Sequence, residues 1–290
     1  MADAARSKPG ARQGSPRVRR VLIAIALTWM ALALLPPLAL VFAAAFGDGI
    51  GAFFSAMSRP ALLHAAWLTA VAALCALAFN TVFGVAAAWT VARTKLPGRQ
   101  LISTLLDLPV AVSPVIAGLM FLLLFGRQGW FGPILETLGV RIVFALPGIV
   151  LATIFVTMPF VAKEVLSVLQ ETGVAQEEAA ATLGASPLQV FVQIVVPNIR
   201  WAVFYGLILT AARAIGEFGA VSVLSGNLIG KTQTLPLFIE RSYVGYETQV
   251  AFAAAVPLTL FALITIAAQM LFGWWSARRR PVCLAEEVSQ

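Results

Sequence analysis

Charge is what this sequence has least of. Only 11% of its 290 residues are Asp, Glu, Lys or Arg, where a soluble domain carries roughly 25%. Too few ionised side chains are present to clothe a water-facing surface, which excludes a soluble globular protein and leaves lipid as the solvent for much of the chain. There is one histidine, His64, and there are two cysteines, Cys75 inside an apolar run and Cys283 in the C-terminal tail. Neither a disulfide framework nor a metal-ligand spacing can be assembled from them, so His64 is read as an interfacial residue at a helix start and no metal site is expected. The scattered acids give no cluster from which a membrane-bound enzyme could work, and no catalytic residue is expected. No Gly-rich Walker A pattern exists to cradle ATP phosphates. Rings of charge for an ion channel are also missing, as are the two recognisable halves and midplane acids of a secondary transporter.

What the sequence has instead is apolar length. It is 60% hydrophobic, with a mean hydropathy of +0.90. Residues 21–46 form the first apolar run, longer than the 7–15 residues or so of a signal-peptide core, and read as an uncleaved span locally broken at Pro36-Pro37. Five more follow at about 62–92, 105–125, 146–168, 199–225 and 252–275, each near the ~20 residues that cross a bilayer. The expected fold class is therefore an all-α membrane protein with six transmembrane helices. Residues 1–20 read as a basic tail, 21–276 as one membrane domain and 277–290 as a second tail. Pro109, Pro114, Pro147 and Pro159 predict irregular helices.

The net charge of +7 could suggest nucleic acid, but the basic residues cluster beside apolar runs, as topology signals do. Six lie in the N-terminal tail. Arg93, Lys95 and Arg99 lie in the second connection, Lys163 and Arg200 flank the fourth, and Arg278, Arg279 and Arg280 close the chain. Only Arg59, Arg127, Arg141, Lys231 and Arg241 fall on the opposite side. This bias places both termini and connections two and four in the cytoplasm. Trp274 and Trp275 read as an interface anchor.

The fourth connection, about 171–198, is the longest cytoplasmic one. Glu177–Leu183 predicts a short helix, ended by Gly184 at positive φ. Ser186 and Pro187 suit the N-cap and first position of a second helix. Its apolar face would be Leu188, Phe191, Val192 and Val195, and Pro197 would stop it. In the fifth span, Arg213 and Glu217 stand four apart on one helix face. Ala212, Gly216 and Ala220 form a small-residue row suited to close helix contact. The pair either stabilises packed subunits or lines and gates a path, where Arg213 would offer positive charge to a tetrahedral anion. Asp107, at the mouth of the third span, reads as a helix-N-terminal anion.

Glu178-Ala179-Ala180, three residues, Gly184, nine residues and Ile194-Val195-Val196-Pro197 resemble the EAA loop of ABC importer permeases, with Val196 replacing the usual Leu. The resemblance implies the type I importer permease (MetI-like) fold, with Glu178, Ala179, Ala180, Gly184, Ile194 and Pro197 docking into a groove of an ATPase subunit. Longer blocks at Phe79–Gly84, Leu96–Gln100, Asp107–Leu119, Pro197–Trp201, Ala212–Val223 and Thr234–Glu240 are similar to sulfate/thiosulfate importer permeases of the CysW type. Molybdate permeases share the Arg-Ala-x-Gly-Glu-Phe-Gly-Ala stretch, so that stretch marks the oxyanion branch. Ser113-Pro114 and Asn198–Trp201 favour sulfate. A molybdate/tungstate permease is the alternative, and a secondary anion transporter a weaker one. The resemblance implies a non-catalytic subunit of the bacterial inner membrane. It also implies a second, T-type permease, two ATPase subunits holding ATP and Mg, and a periplasmic sulfate/thiosulfate-binding protein. Arg213, Glu217 and Ser113 are the candidate path or gate residues. The opposite-side loops, about 47–61, 126–145 and 226–250, would receive the binding protein.

Overall fold

A computed structural model describes residues 16–94 and 98–279. Arg6, Lys8, Arg12, Lys95, Arg280, Cys283 and the rest of both tails lie outside the described residues. The described residues are helical throughout their ordered elements, with no strand among them. Five helices are long and apolar enough to cross a membrane, or six if one sharply bent pair counts as a span.

Helix α1 (Pro16–Phe46) runs unbroken through Pro36 and Pro37, against the expected local break. Lipid offers no competing partner for a loosened backbone, so a helix survives the loss of two donors. A short α2 (Ile50–Met57) leads into α3 (Pro60–Arg93). The next span is bent by 108° between α4 (Arg99–Ala111) and α5 (Pro114–Phe125). Pro114 has no N–H and pushes the residue before it out of the helical region, and Ser113 sits at ψ 134° accordingly. The apolar run over 105–125, where Pro109 and Pro114 predict irregularity, is thus two helices. Asp107 is in the later part of α4, away from any helix N-terminus.

After α6 (Gly132–Thr137), α7 (Leu146–Thr172) forms the central column. It lies parallel to α3: Asn80 donates to the Ile154 carbonyl at 3.2 Å and to Thr157 Oγ1 at 2.8 Å, and Arg93 donates to the Leu169 carbonyl at 3.0 Å. Helix α8 (Ala175–Thr182) and the single turn α9 (Pro187–Val190) follow. A π turn, Phe191–Val195, passes directly into α10 (Val196–Ile215). Pro197 therefore does not stop the second loop helix. It sits at the second position of α10, directly after the π turn, and the helical backbone carries on through it.

The fifth apolar run is also divided. Gly216, Glu217 and Phe218 separate α10 from α11 (Gly219–Ser225), so Arg213 and Glu217 do not share one continuous helix. The expected Ala212–Gly216–Ala220 row does not lie on one helix: Gly216 is exposed between α10 and α11, and Ala220 belongs to α11. Close approach occurs elsewhere. A Cβ on Gly84 of α3 would meet the Ala162 backbone nitrogen at 2.9 Å, and one on Gly206 of α10 would meet the Val161 Cα at 2.8 Å. Helix α7 is thereby held closely by two neighbouring helices around Val161.

Helix α12 (Leu235–Val244) fills the third of the far loops, and α13 (Thr248–Arg279) returns along α1. Gln249 Nε2 donates to the Ala45 carbonyl at 3.3 Å, tying the start of α13 to the end of α1. The beginning of α1 and the end of α13 consequently lie at the same end of the bundle as Arg93.

Candidate functional site

The connection between α7 and α10 forms the first half of the site. Gly184 takes φ +88°, with nothing within 4 Å of the position a Cβ would fill. Glycine is needed there for backbone conformation alone. Ser186 and Gln189 close a reciprocal capping box. Both features match the sequence expectation, because both are written within five residues.

Helix α8 is fastened to α3 and α10, and through Arg93 to the end of α7. Arg93 Nε of α3 meets Glu177 Oε1 at 2.8 Å, with side-chain exposures of 9% and 16%. The same guanidinium donates to the Leu169 and Gly173 carbonyls at 3.0 and 2.7 Å, satisfying orphan carbonyls at the end of α7. Asn198 of α10 donates to Gln176 at 3.0 Å. Glu178, by contrast, is exposed. Arg93, Glu177, Gln176 and Asn198 were not legible as partners, since they pair across 84 and 22 residues.

The apolar row expected on the second loop helix is split by the π turn. Val195 is 1% exposed and Phe191 packs edge-on against Trp89 with centroids 5.0 Å apart. Leu188 is 72% and Val192 53% exposed. A π turn adds a residue to the helical repeat and so turns part of the row inward and part outward. Together with Leu183, 89% exposed, Leu188 and Val192 leave a bare apolar surface beside Glu178. Ile194 is half-buried and Pro197 exposed.

The second half lies where the two broken spans meet. A Cβ on Gly118 of α5 would approach the Ala220 carbonyl oxygen of α11 to 2.7 Å, and one on Gly219 would meet the Pro114 Cβ at 2.9 Å. Glu217 is buried in this junction, ion-paired with Arg213, and its Oε1 accepts from the Ala220 amide at 2.9 Å. The carboxylate does two things at once: it neutralises Arg213 and takes a donor left over at the start of α11. Arg213 keeps 34% of its side chain exposed, and Ser113 is exposed at the neighbouring break. Arg213, Glu217 and Ser113 are therefore gathered at one junction. An ionised group at bilayer depth costs at least ~2.5–3.5 kcal/mol even on a lenient scale, and non-helical backbone persists there only inside protein or against water.

A second ion pair links α4 and α7. Lys163 Nζ lies 2.5 Å from Asp107 Oδ1, with exposures of 49% and 54%. Lys163 does not flank the loop, as its sequence position suggested, but stands nine residues inside α7. Arg200 likewise lies within α10, over the Trp201 ring at 5.3 Å.

The described residues thus form a helical bundle of membrane-crossing length, with an exposed loop motif at one end and broken spans within it. Residues 80–280 match the family of binding-protein-dependent transport system inner membrane components, and the chain belongs to that family. It is 51% identical over 86% of its length to the sulfate transport system permease protein CysW of Synechocystis, covering 91% of that protein. To the CysW protein of Escherichia coli K12 it is 48% identical, with 87% of each covered. The CysT permease of Salmonella typhimurium is 37% identical over 76% of this chain and 81% of its own. Among solved structures, a bacterial ABC transporter involved in alginate import superimposes with a TM-score of 0.74 at 17% identity, over 91% of this chain and 96% of that one. That likeness concerns fold.

Proposed function

We propose that this chain is the W-type permease subunit of an ATP-driven importer of sulfate and thiosulfate in a bacterial inner membrane. It crosses the membrane six times, α4 and α5 together making one crossing, with residues 1–20 and 277–290 as cytoplasmic tails of a single permease domain spanning 21–276. Supporting this topology, the beginning of α1, the end of α13 and the basic residues Arg93 and Arg99 share one end of the bundle. The chain is non-catalytic by itself. Two partner ATPases bind ATP and Mg, a T-type permease completes the path, and a periplasmic binding protein delivers the anion onto the end carrying α2, α6 and α12.

The observation that carries the reading is α8, fastened by Arg93–Glu177 and Gln176–Asn198 yet bare on its outer side, in a chain about half identical to named sulfate permeases. Glu178, Ala179, Ala180, Gly184, Ile194 and Pro197 place a short helix, a turn and an apolar surface where an ATPase groove can grip them. Because α8 is tied to α3, α7 and α10, movement of the ATPases is handed to three spans. Arg213, Glu217 and Ser113 line or gate the path where the broken spans meet.

The test is uptake of labelled sulfate, thiosulfate and molybdate by a permease-deletion strain carrying this gene. Sulfate and thiosulfate uptake is expected. Restored molybdate uptake without sulfate uptake would overturn the choice of anion in favour of the molybdate/tungstate branch. Uptake that persists without any ATPase gene would favour a secondary anion transporter.

A further inference from the structure

We infer that the seam between α4 and α7 is the exit route for the anion, with Lys163 as its anion-binding group and Asp107 as a counter-ion that holds the place when no anion is there. The inference rests on the oxyanion-importer reading and extends it to a site on the Arg93 side of the Arg213 junction.

Three observations converge. Lys163 stands nine residues from the end of α7, about 13 Å along the axis, inside a helix long and apolar enough to cross a membrane. Both partners are nonetheless about half exposed. Ionised groups in such helices face a bundle interior or water, not lipid. The second observation is register. Ser103 and Arg99 precede Asp107 by one and two helical turns, and Gln170 follows Lys163 by two, so each set shares a helix face with the ion pair. Third, these residues meet: Arg99, Gln100, Ser103 and Gln170 line one cavity of about 290 Å³ at the foot of the seam, with Val91 and Ala92 of α3 closing its side. A row of polar side chains therefore leads from the Lys163 ammonium toward an open cavity at the coupling end, lined by both polar and apolar groups. Its donors, an ammonium, a guanidinium, amides and a hydroxyl, suit a divalent oxyanion. Asp107 resets the track, whose direction comes from the ATP-driven cycle. It neutralises Lys163 between passages, and it displaces the anion afterwards by competing for the same ammonium.

The experiment uses the full complex in proteoliposomes: this chain, its partner permease, the ATPases and the binding protein. Lys163→Gln should lower sulfate uptake at least tenfold while binding-protein-stimulated ATP hydrolysis stays within twofold of wild type. Lys163→Arg should keep most of the uptake. In Asp107→Asn the anion is not displaced, so sulfate enclosed in the vesicles should inhibit uptake several-fold more strongly than in wild type. Asp107→Leu/Lys163→Met separates an exit site from a packing pair. Replacing both charges by apolar groups relieves a structural pair and would then restore uptake, whereas an exit site stays inactive. Wild-type uptake in the double variant, or unimpaired uptake in Lys163→Gln, overturns the inference. A wild-type complex that moves no oxyanion overturns the underlying reading instead. One that moves only molybdate changes the anion, and the same variants are then read with molybdate.

Discussion

Arg93 shows what a single side chain can hold. Its guanidinium meets a carboxylate from α8 and two carbonyls from the end of α7, while its own backbone ends α3. Arg93→Ala leaves Glu177 and two carbonyls without their donor, at a cost of about 2 kcal/mol. We expect the purified permease to keep its helical content but to lose at least tenfold in ATPase association, measured by co-purification. Arg93→Lys supplies one point of charge in place of a planar fork and should recover only part of the loss. Asn80 is a separate case, fully buried between α3 and α7 and donating twice. Asn80→Ala should lower the thermal midpoint of the detergent-solubilised protein through the loss of roughly 1–2 kcal/mol. An unchanged midpoint would remove Asn80 from the account of how those helices adhere. None of these partnerships can be read from sequence, because residue type and spacing say nothing about a partner 74 or 84 positions away.

At the scale of elements, legibility followed the range of the physics. The Gly184 turn and the Ser186 cap were foreseen because their causes are local. Irregularity at Pro114 was foreseen too, through its effect on the residue before it, but not the 108° bend. The break at Glu217 was not, because an apolar run averages across an interruption that changes direction but not hydropathy. Gly216 and Gly219 held its signal, where Glu217 could take over a backbone partner. The π turn left no signal, and it reversed the outlook of half the loop's apolar row. Gly184→Asp carries two penalties, a side chain at φ +88° costing about 1–2 kcal/mol and a new charge beside Leu183. With Glu178→Lys, it should abolish ATPase co-purification without unfolding the spans. Intact association of both variants would sink the coupling assignment. Leu188→Asp tests the outward half of the row, and we expect loss of ATPase association there too, whereas an inward-facing Leu188 would show loss of folding instead.

For the whole molecule, hydropathy and charge were enough to read an all-helical membrane chain, because bilayer thickness and the placement of Lys and Arg act over the full length. Correcting Lys163 and Arg200 from loop to span leaves the basic bias on the same side. The topology it implies can be checked by accessibility. With Cys75 and Cys283 replaced by Ser, a membrane-impermeant thiol reagent should label Ser55→Cys in intact spheroplasts and Ser186→Cys only after permeabilisation. The opposite pattern would invert the orientation.

The grip of Gly84 and Gly206 on α7 gives the molecule a fulcrum. Val161 sits about 16 Å from the α8 end of α7 and about 22 Å from its other end. If the helix tilts about that point, a push at the shorter arm is returned at the longer arm enlarged by about 1.4-fold. The far end of α7 packs against α11, through Ile149, Ala152, Leu224 and Ala220. Bulk at either glycine would move the pivot. It would alter how far the outer end of α7 swings for a given displacement at its α8 end.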